Sequence, residues 1–506
     1  VRGPLGRLPV ESLEGFCPFG GNQVKLEPFK VPMEQTIDQP APPLTATAAD
    51  GKEQATLLTT GFQPGVTAIG FAVLALLAWL HQTALSVYNT ILDAWMYQPF
   101  RFPFLDMRFV LAGIECRLRG IDVYHHDPCD FLDRAHNYSP LWLRFTFLPT
   151  GADWFNTLGI SLAGSFLLAV GFLPQPKDLT GRALFGAGVF SYSSLYALER
   201  GNLDLLMFVF AVMAGLCLNR SAPMRLTGYA IMLLAGLLKF YPMAMLIVLL
   251  REKWRVILPA GAAIGIIVLS LFLYFHEELH LMAVNLPTDF PSGAGWGAKS
   301  LARGLSDRLP EIAGAFGWHA AWIDAAPETH LPAYALLAVC LAIAFLTAAR
   351  LAHRPGVEAA LGLLTPREHL FLLIGAALVV GCFLGGQSLS YRFTFMVIAF
   401  PGLLALARAA PDRGARRIFG TAAAAMLLVL WQMPIRRAVT GLTGGWAMPL
   451  TGPLTNYVLW AATELLSWWV NIVLLALLLN LVASADPARR RALTSGRRDG
   501  NVLVSD

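Results

Sequence analysis

The run Leu226–Leu250, LTGYAIMLLAGLLKFYPMAMLIVLL, decides how this chain is read. It is apolar except at its middle, where Lys239-Phe240-Tyr241-Pro242 interrupts it, and Arg251-Glu252-Lys253-Trp254-Arg255 closes it. Roughly 20 apolar residues suffice to cross a bilayer once. Yet both flanks are basic, Arg220 and Arg225 before the run and the REKWR cluster after it, and basic flanks stay on the cytoplasmic side. This favours a broken hairpin that enters, turns at Pro242 and leaves on the side it came from. Non-helical backbone at that depth is tolerated only against protein or a wet cavity. A lysine there is costly, so Lys239 is a candidate functional residue. The alternative is that Lys239 snorkels from a plain spanning helix.

Working outward, the rest of the chain has the same character. Hydrophobic residues make up 56% of the 506 and charged residues only 14%, against roughly 25% charged in soluble domains. The formal charge of +5 comes mainly from short basic loops and the tail, so it speaks for membrane topology and against a nucleic-acid partner. Apolar runs predict about ten spans, near 66–88, 155–174, 183–198, 203–219, 256–275, 332–349, 369–386, 391–407, 418–433 and 455–483. With the N-terminus inside, Lys177 and Arg182, Arg220 and Arg225, Arg350, Arg354 and Arg367, Arg408 to Arg417 and Arg489–Arg491 all fall on the cytoplasmic side. That sorting works only if 226–250 is re-entrant.

The expected architecture is therefore an all-α polytopic membrane protein with both termini cytoplasmic. A disordered cytoplasmic N-terminus covers 1–65, and a first transmembrane module covers 66–275 with an outward loop at 89–153. A second outward loop spans 276–331, a C-terminal module spans 332–483 with a short outward segment at 434–454, and a basic tail spans 484–506. No cleavable signal peptide is visible, since the first long apolar run starts only near Val66. Met33, in PMEQTIDQPAPP, reads as a natural start, with Val1–Pro32 an over-extended one. No internal repeat is evident.

The first outward loop holds the densest polar chemistry, FPFLDMRFVLAGIECRLRGIDVYHHDPCDFLDRAHNYSPLWL. Asp106 precedes apolar residues at near-helical spacing, so it is either a helix N-cap or a catalytic carboxylate. Asp122 follows Gly120 and fits a turn. Asp127 before Pro128 fits an N-cap with proline at the first helical position, and Asp130 then falls at the third. His125, His126, Asp127, Cys129, Asp130, Asp133 and His136 form a cluster of ligand types with no defined metal-site spacing, and a solvated loop explains them better. Cys116 and Cys129 share this loop and can pair in an oxidising compartment. Cys217, Cys340 and Cys382 sit in apolar runs as small core residues. In LERGNLDLL, Gly201 breaks one span, Asn202 caps the next and Asp204 suits the positive end of its dipole. Glu199 and Arg200 are less well explained, and they face the same side as Asp106.

Four segments together resemble the polyprenyl-phosphate-sugar-dependent C-type (GT-C) glycosyltransferases, especially the bacterial mannosyl- and arabinofuranosyl-transferase branch. LDMRFVLAGIECRLRGIDVY is similar to that branch's first-loop pattern, an acidic residue and a short helix ending in Gly-x-Asp-x-Tyr. HNYSPLWL resembles its aromatic-Tyr-Pro-Pro-Leu segment, with Ser139 replacing the first proline. ALERGNLDLL resembles its Gly-Gln-x-Asn-x-Leu-Leu turn, although Arg200-Gly201-Asn202 departs from that order. AGLLKFYPMAMLIVLLREKW resembles its Lys-Pro-x-Pro hairpin, with Phe240 where the first proline usually stands. The likeness covers about 90 to 255, and beyond it only GWGAKSL and QSLSYRF look faintly similar.

The resemblance implies a GT-C-like fold of about ten transmembrane helices, one re-entrant hairpin and long outward loops, in the cell's inner (plasma) membrane. It implies an inverting transferase that moves mannose or another hexose or pentose from a polyprenyl-phosphate donor to a hydroxyl on a glycolipid, glycan or protein acceptor. Asp106 corresponds to the family's general base. Lys239, Arg392 (in QSLSYR) and Arg200 become candidates for the donor phosphate, since fixed cations stabilise a departing anion. For Arg392 an interfacial anchor beside Tyr391 is the alternative. Asp122, Tyr124, Tyr138, Glu199, Asn202 and Tyr241 become substrate-pocket candidates. No cofactor, metal or nucleic acid is expected.

Three other classes compete. A lipid-linked polysaccharide polymerase or ligase would depend on basic and His residues of a late outward loop. His276-Glu277-Glu278-Leu279-His280 matches the H-E-x-x-H of zinc proteases, with His319 or Glu311 as third ligand, but it lies beyond the apolar core. A transporter would show two related halves with paired broken helices, and only one break is evident. The loop 276–331, with Lys299, Arg303 and Arg308, suits a flexible lid, an acceptor surface or an interfacial amphipathic segment.

Overall fold

Among the described residues, seven helices are long and apolar enough to cross a membrane: Pro64–Thr83, Trp154–Gly171, Trp254–Tyr274, Leu331–Ala352, Pro366–Gly385, Ser390–Ala409 and Val458–Ser484. Two further helix pairs, Tyr192–Arg200 with Asp204–Leu218 and Arg413–Leu430 with Gln432–Leu442, are bent by 110° and 71° and would raise the number to nine. The computed structural model describes residues 61–95, 103–286, 295–315, 317–318, 320–325, 329–442 and 454–485. The two ends of the chain, including Met33 and the basic tail beyond Ala485, lie outside them, as do Gly293, His319 and all of 443–453. Among the described residues the protein is all-α but for one two-residue strand pair, and its apolar helices mark it as a multi-pass membrane protein. Trp254–Tyr274 makes the physical case on its own: it is apolar along its length and buries none of its residues in protein. Such a surface is stable only against lipid.

Of the about ten spans expected, several of them short, seven to nine are long and apolar enough among the described residues. The run 183–198 is two short helices, Leu179–Val189 and Tyr192–Arg200. They part at Ser191, whose hydroxyl accepts from the Ser194 amide and so starts a new helix. Residues 203–219 do form one helix, Asp204–Leu218, but the 110° bend before it turns on Gly201 in left-handed backbone (φ 55°). Pro366–Gly385 and Ser390–Ala409 are the most deeply buried long helices. Predicted cytoplasmic basic residues gather at shared contacts: Arg408 pairs with Asp178 at 2.5 Å, Arg354 with Asp412 at 3.6 Å, and Arg367 donates to Phe172 O at 2.6 Å.

The opening run folds back on itself. Ala222–Lys239 is an α-helix of 18 residues, and Tyr241–Arg251 returns as 11 residues of 3-10 helix, far beyond the three or four usual for that form. At the base, Arg225 Nε and Tyr229 Oη donate to Glu252 Oε1 at 2.9 and 3.2 Å, so both ends finish at one level. The reversal falls at Phe240 (φ 58°, ψ −59°) rather than at Pro242. Proline's fixed φ instead suits the first turn of the returning helix, where Pro242 lies.

The first loop, 103–153, caps the hairpin's tip. Ser139 Oγ donates to Leu237 O at 2.7 Å and Trp142 Nε1 to Leu238 O at 3.2 Å, satisfying carbonyls left open at a helix end. Within the loop, Leu105–Leu118 is a helix whose end is tied by a Cys116–Cys129 disulfide. No helix starts at Asp127, contrary to the cap reading. Its carboxylate accepts from the Cys129 amide two residues on at 3.1 Å, the local turn that competes with helix at Asp.

Candidate active site

Two buried carboxylates organise the site. Asp106 lies in the first turn of Leu105–Leu118 but caps nothing. Arg200 grips it with Nε and Nη2 at 2.9 and 2.5 Å, and Asn202 Nδ2 donates to it at 2.5 Å. Arg134 Nη1 stands 3.9 Å away, itself held by Asp130 at 2.8 Å. Burial pushes the Asp106 carboxyl up, but Arg200's charge and the hydrogen bonds from Arg200 and Asn202 outweigh it and hold the group below its ordinary range. The bases are therefore met by an ionised carboxylate.

Asp204 is the second centre, fully buried at the start of its helix. Lys239 Nζ and Tyr241 Oη both donate to its Oδ1, the latter at 2.7 Å. Arg392 Nε lies 3.5 Å from its Oδ2 and stacks over Tyr241, 4.7 Å from the ring centre. Asn202 joins the centres: its Oδ1 caps the Asp204 amide at 2.9 Å and accepts from Lys239 Nζ at 3.0 Å. The cap and dipole account of Asn202 and Asp204 is thus correct but incomplete. Their side chains also close a charge network spanning four segments of the chain. Sequence reasoning missed Asp204, and the available signal was an acid and a lysine each lodged in apolar sequence, with no other partner nearby.

This network forms one wall of a solvent-open cavity of about 1060 Å³. Four of its charged lining residues are cationic (Arg134, Arg200, Lys239, Arg392) and one is anionic (Asp106), so the cavity favours an anion. Tyr138 also lines it, with Lys239 Nζ 5.2 Å from its ring centre. Asn202 and Tyr241 lie behind the wall. Asp122 and Tyr124 are not brought there. Asp122 is exposed and pairs with His125 at 2.8 Å, while Tyr124 is buried beside His136 and its carbonyl accepts from Asn285. Glu199 faces a separate apolar groove of about 960 Å³ that runs along Pro64–Thr83 and is also lined by Pro103 and Phe104.

Potential metal ligands do not assemble into a site of their own. His126 pairs with Asp133 at 3.0 Å at the surface, as a solvated loop would. Among the described residues, the one ligand trio within reach of a shared ion is Cys116, Asp127 and Cys129, and its two sulfurs are bonded to each other. His276 and Glu277 are exposed, and Glu278 pairs with Arg144 at 3.6 Å, leaving H-E-x-x-H without a third ligand among those residues. No family model, curated protein or solved structure matches this chain.

Proposed function

We propose that this protein is a membrane glycosyltransferase that moves a sugar from a polyprenyl-phosphate donor to an acceptor hydroxyl, with inversion at the anomeric carbon. The observation that carries the reading is that Asp106, Tyr138, Arg200 and Lys239, drawn from the four segments that resemble the GT-C family, line one cavity together with Arg392. In the reaction the acceptor oxygen bonds to the anomeric carbon as that carbon's bond to the phosphate oxygen breaks. The hydroxyl proton passes to Asp106, and polyprenyl phosphate leaves with the electron pair. Lys239 and Arg392, anchored from behind by Asp204, meet the charge growing on that phosphate. We assign Arg200 to holding Asp106, since both oxygens of the carboxylate are already in its grip. The apolar groove along Pro64–Thr83 suits the donor's hydrocarbon tail, because its lining includes Phe104, two residues before Asp106 in the chain. On this reading the chain crosses the membrane ten times, Leu179–Val189 and Tyr192–Arg200 being one crossing broken at Ser191.

The test is transfer of radiolabel from polyprenyl-phosphate mannose, arabinose or glucose by purified protein in lipid discs. Asp106→Asn should abolish it. Because that change strands the buried Arg200 charge, the double variant Asp106→Asn/Arg200→Gln is the control: it should recover thermal stability without recovering transfer. Near-normal transfer by either variant removes Asp106 as the base, and no transfer from any donor by the unaltered protein removes the reading.

A further inference from the structure

A second cavity, of about 800 Å³, adjoins the first and is lined by Lys299, Arg303, His330, Tyr334 and Gln387 together with small apolar residues. Gln387 lines both cavities, so the two are neighbours across one side chain. We propose that this second cavity is the acceptor subsite and that it takes an acceptor saccharide carrying a carboxylate or phosphate. The inference rests on the glycosyl-transfer reading for the word acceptor, and on the cavity's own chemistry for the charge.

That chemistry is one-sided. Two cations and an imidazole reach the cavity, and among the described residues no carboxylate lines it. Asp307 pairs with Arg303 Nε at 3.0 Å from one turn along the same helix, Ala298–Asp307, and so fixes that guanidinium. Lys299 has no anionic partner among the described residues, and His330 Nδ1 is buried there without a hydrogen-bond partner. Sugars stack on aromatic faces, and Tyr334 supplies one at the rim.

The backbone that presents these groups is built for the position. Gly295 and Trp296 pair antiparallel with Leu389 and Ser388, pinning the start of Ala298–Asp307 to the segment that carries Arg392. Gly297 follows at φ 147°, and a Cβ there would lie 2.7 Å from Gly386 O, so only glycine permits the approach. Trp296 is wholly buried. Gln387 Nε2 then reaches Ser300 Oγ at 3.4 Å, closing the partition between the cavities. An anion seated at Lys299 would leave the attached sugar hydroxyls facing Gln387 and, beyond it, the Asp106 cavity.

The full-length protein in phosphatidylcholine discs tests this by saturation-transfer NMR with three probes: methyl glucuronide, methyl mannoside 6-phosphate and methyl glucoside. The two anionic probes should bind about tenfold more tightly than the neutral one, the worth of one charge-assisted contact. Lys299→Gln/His330→Gln, checked for unchanged melting, should abolish that preference while donor turnover to water stays intact. Equal binding of all three probes by the unaltered protein, or a preference that survives the double variant, overturns the proposal. Loss of saccharide binding when phosphatidylglycerol is added to the disc also overturns it, assigning the cavity to a lipid headgroup. Donor turnover is read separately as release of polyprenyl phosphate from polyprenyl-phosphate mannose. Its absence beside an intact anion preference sinks glycosyl transfer and leaves the anion subsite standing.

Discussion

Asp204 and Asp106 are both buried aspartates among cations, yet they have different neighbours and so different expected roles. Asp106 opens onto the cavity, whereas Asp204 is sealed behind Lys239, Tyr241 and Arg392. Asp204→Asn should therefore act on stability first. Stranding buried cations costs about 3–5 kcal/mol, so the thermal midpoint of the variant should fall steeply, and a midpoint within error of the unaltered protein would mean that Lys239 and Arg392 do not depend on it. The outward loop offers a residue-scale test in pH. Burial, aided by the charges of Asp130 and Asp133, pushes the Asp127 carboxyl up to about 6, while burial pushes His136 down to about 4. Between about pH 4 and 6 the folded Asp127 holds a proton that the unfolded chain has lost, so its contribution to stability falls as pH rises. Over the same range and up to 6.5 the unfolded His136 holds a proton that the folded one lacks, so its contribution climbs. The two slopes oppose each other. Asp127→Asn, which keeps an acceptor for the Cys129 amide, should expose the rising His136 slope in melting temperature, and His136→Gln the falling one; unchanged slopes in both would show that neither group titrates as buried.

At the scale of elements, the site depends on where helices stop. Gly201 ends Tyr192–Arg200 in left-handed backbone and so lets Arg200 and Asn202, two residues apart, converge on Asp106. A Cβ at Gly201 would lie 2.9 Å from Phe104 Cβ, and left-handed backbone costs a non-glycine about 1–2 kcal/mol besides. Gly201→Ala should thus lower the melting temperature and cut transfer more than Phe240→Ala, which trims a side chain at the cavity wall without changing any left-handed glycine. If Gly201→Ala is silent in both, the turn is not what aligns the pair. This turn was readable in sequence as a break, and the hairpin was readable from its basic flanks and Lys239. Their exact geometry was not. Pro242 drew the turn because proline is the stronger local signal, while Phe240's positive φ is imposed by packing that no local pattern encodes. Asp204 escaped notice for a related reason: a local account by helix dipole was sufficient, and its partners Lys239 and Arg392 are 35 and 188 residues away.

At the scale of the molecule, everything turns on which compartment each part faces. Length and composition made the membrane class legible, and ten apolar runs of uneven length left the count open because short helices such as Leu179–Val189 and Tyr192–Arg200 each fall below a bilayer's thickness. The length of the hairpin bears on that count. An α-helix of 18 residues is about 27 Å long and 11 residues of 3-10 helix about 22 Å, so its tip sits nearly one hydrocarbon thickness from its base. Lys239 at the tip reaches Asp106 of the first loop through Asn202, while Arg225 and Glu252 close the base. Cysteines placed one at a time at Ser221, Lys253 and Phe131, with Cys17, Cys217, Cys340 and Cys382 replaced by alanine, convert this into a labelling experiment. An impermeant maleimide applied to intact cells should reach position 131, which is exposed in the loop, and should reach 221 and 253 only after the membrane is opened. Labelling of 221 and 253 from opposite sides would make the run a plain span, put Lys239 in mid-bilayer away from Asp106, and leave the carboxylate and the phosphate-binding cations in no common chamber.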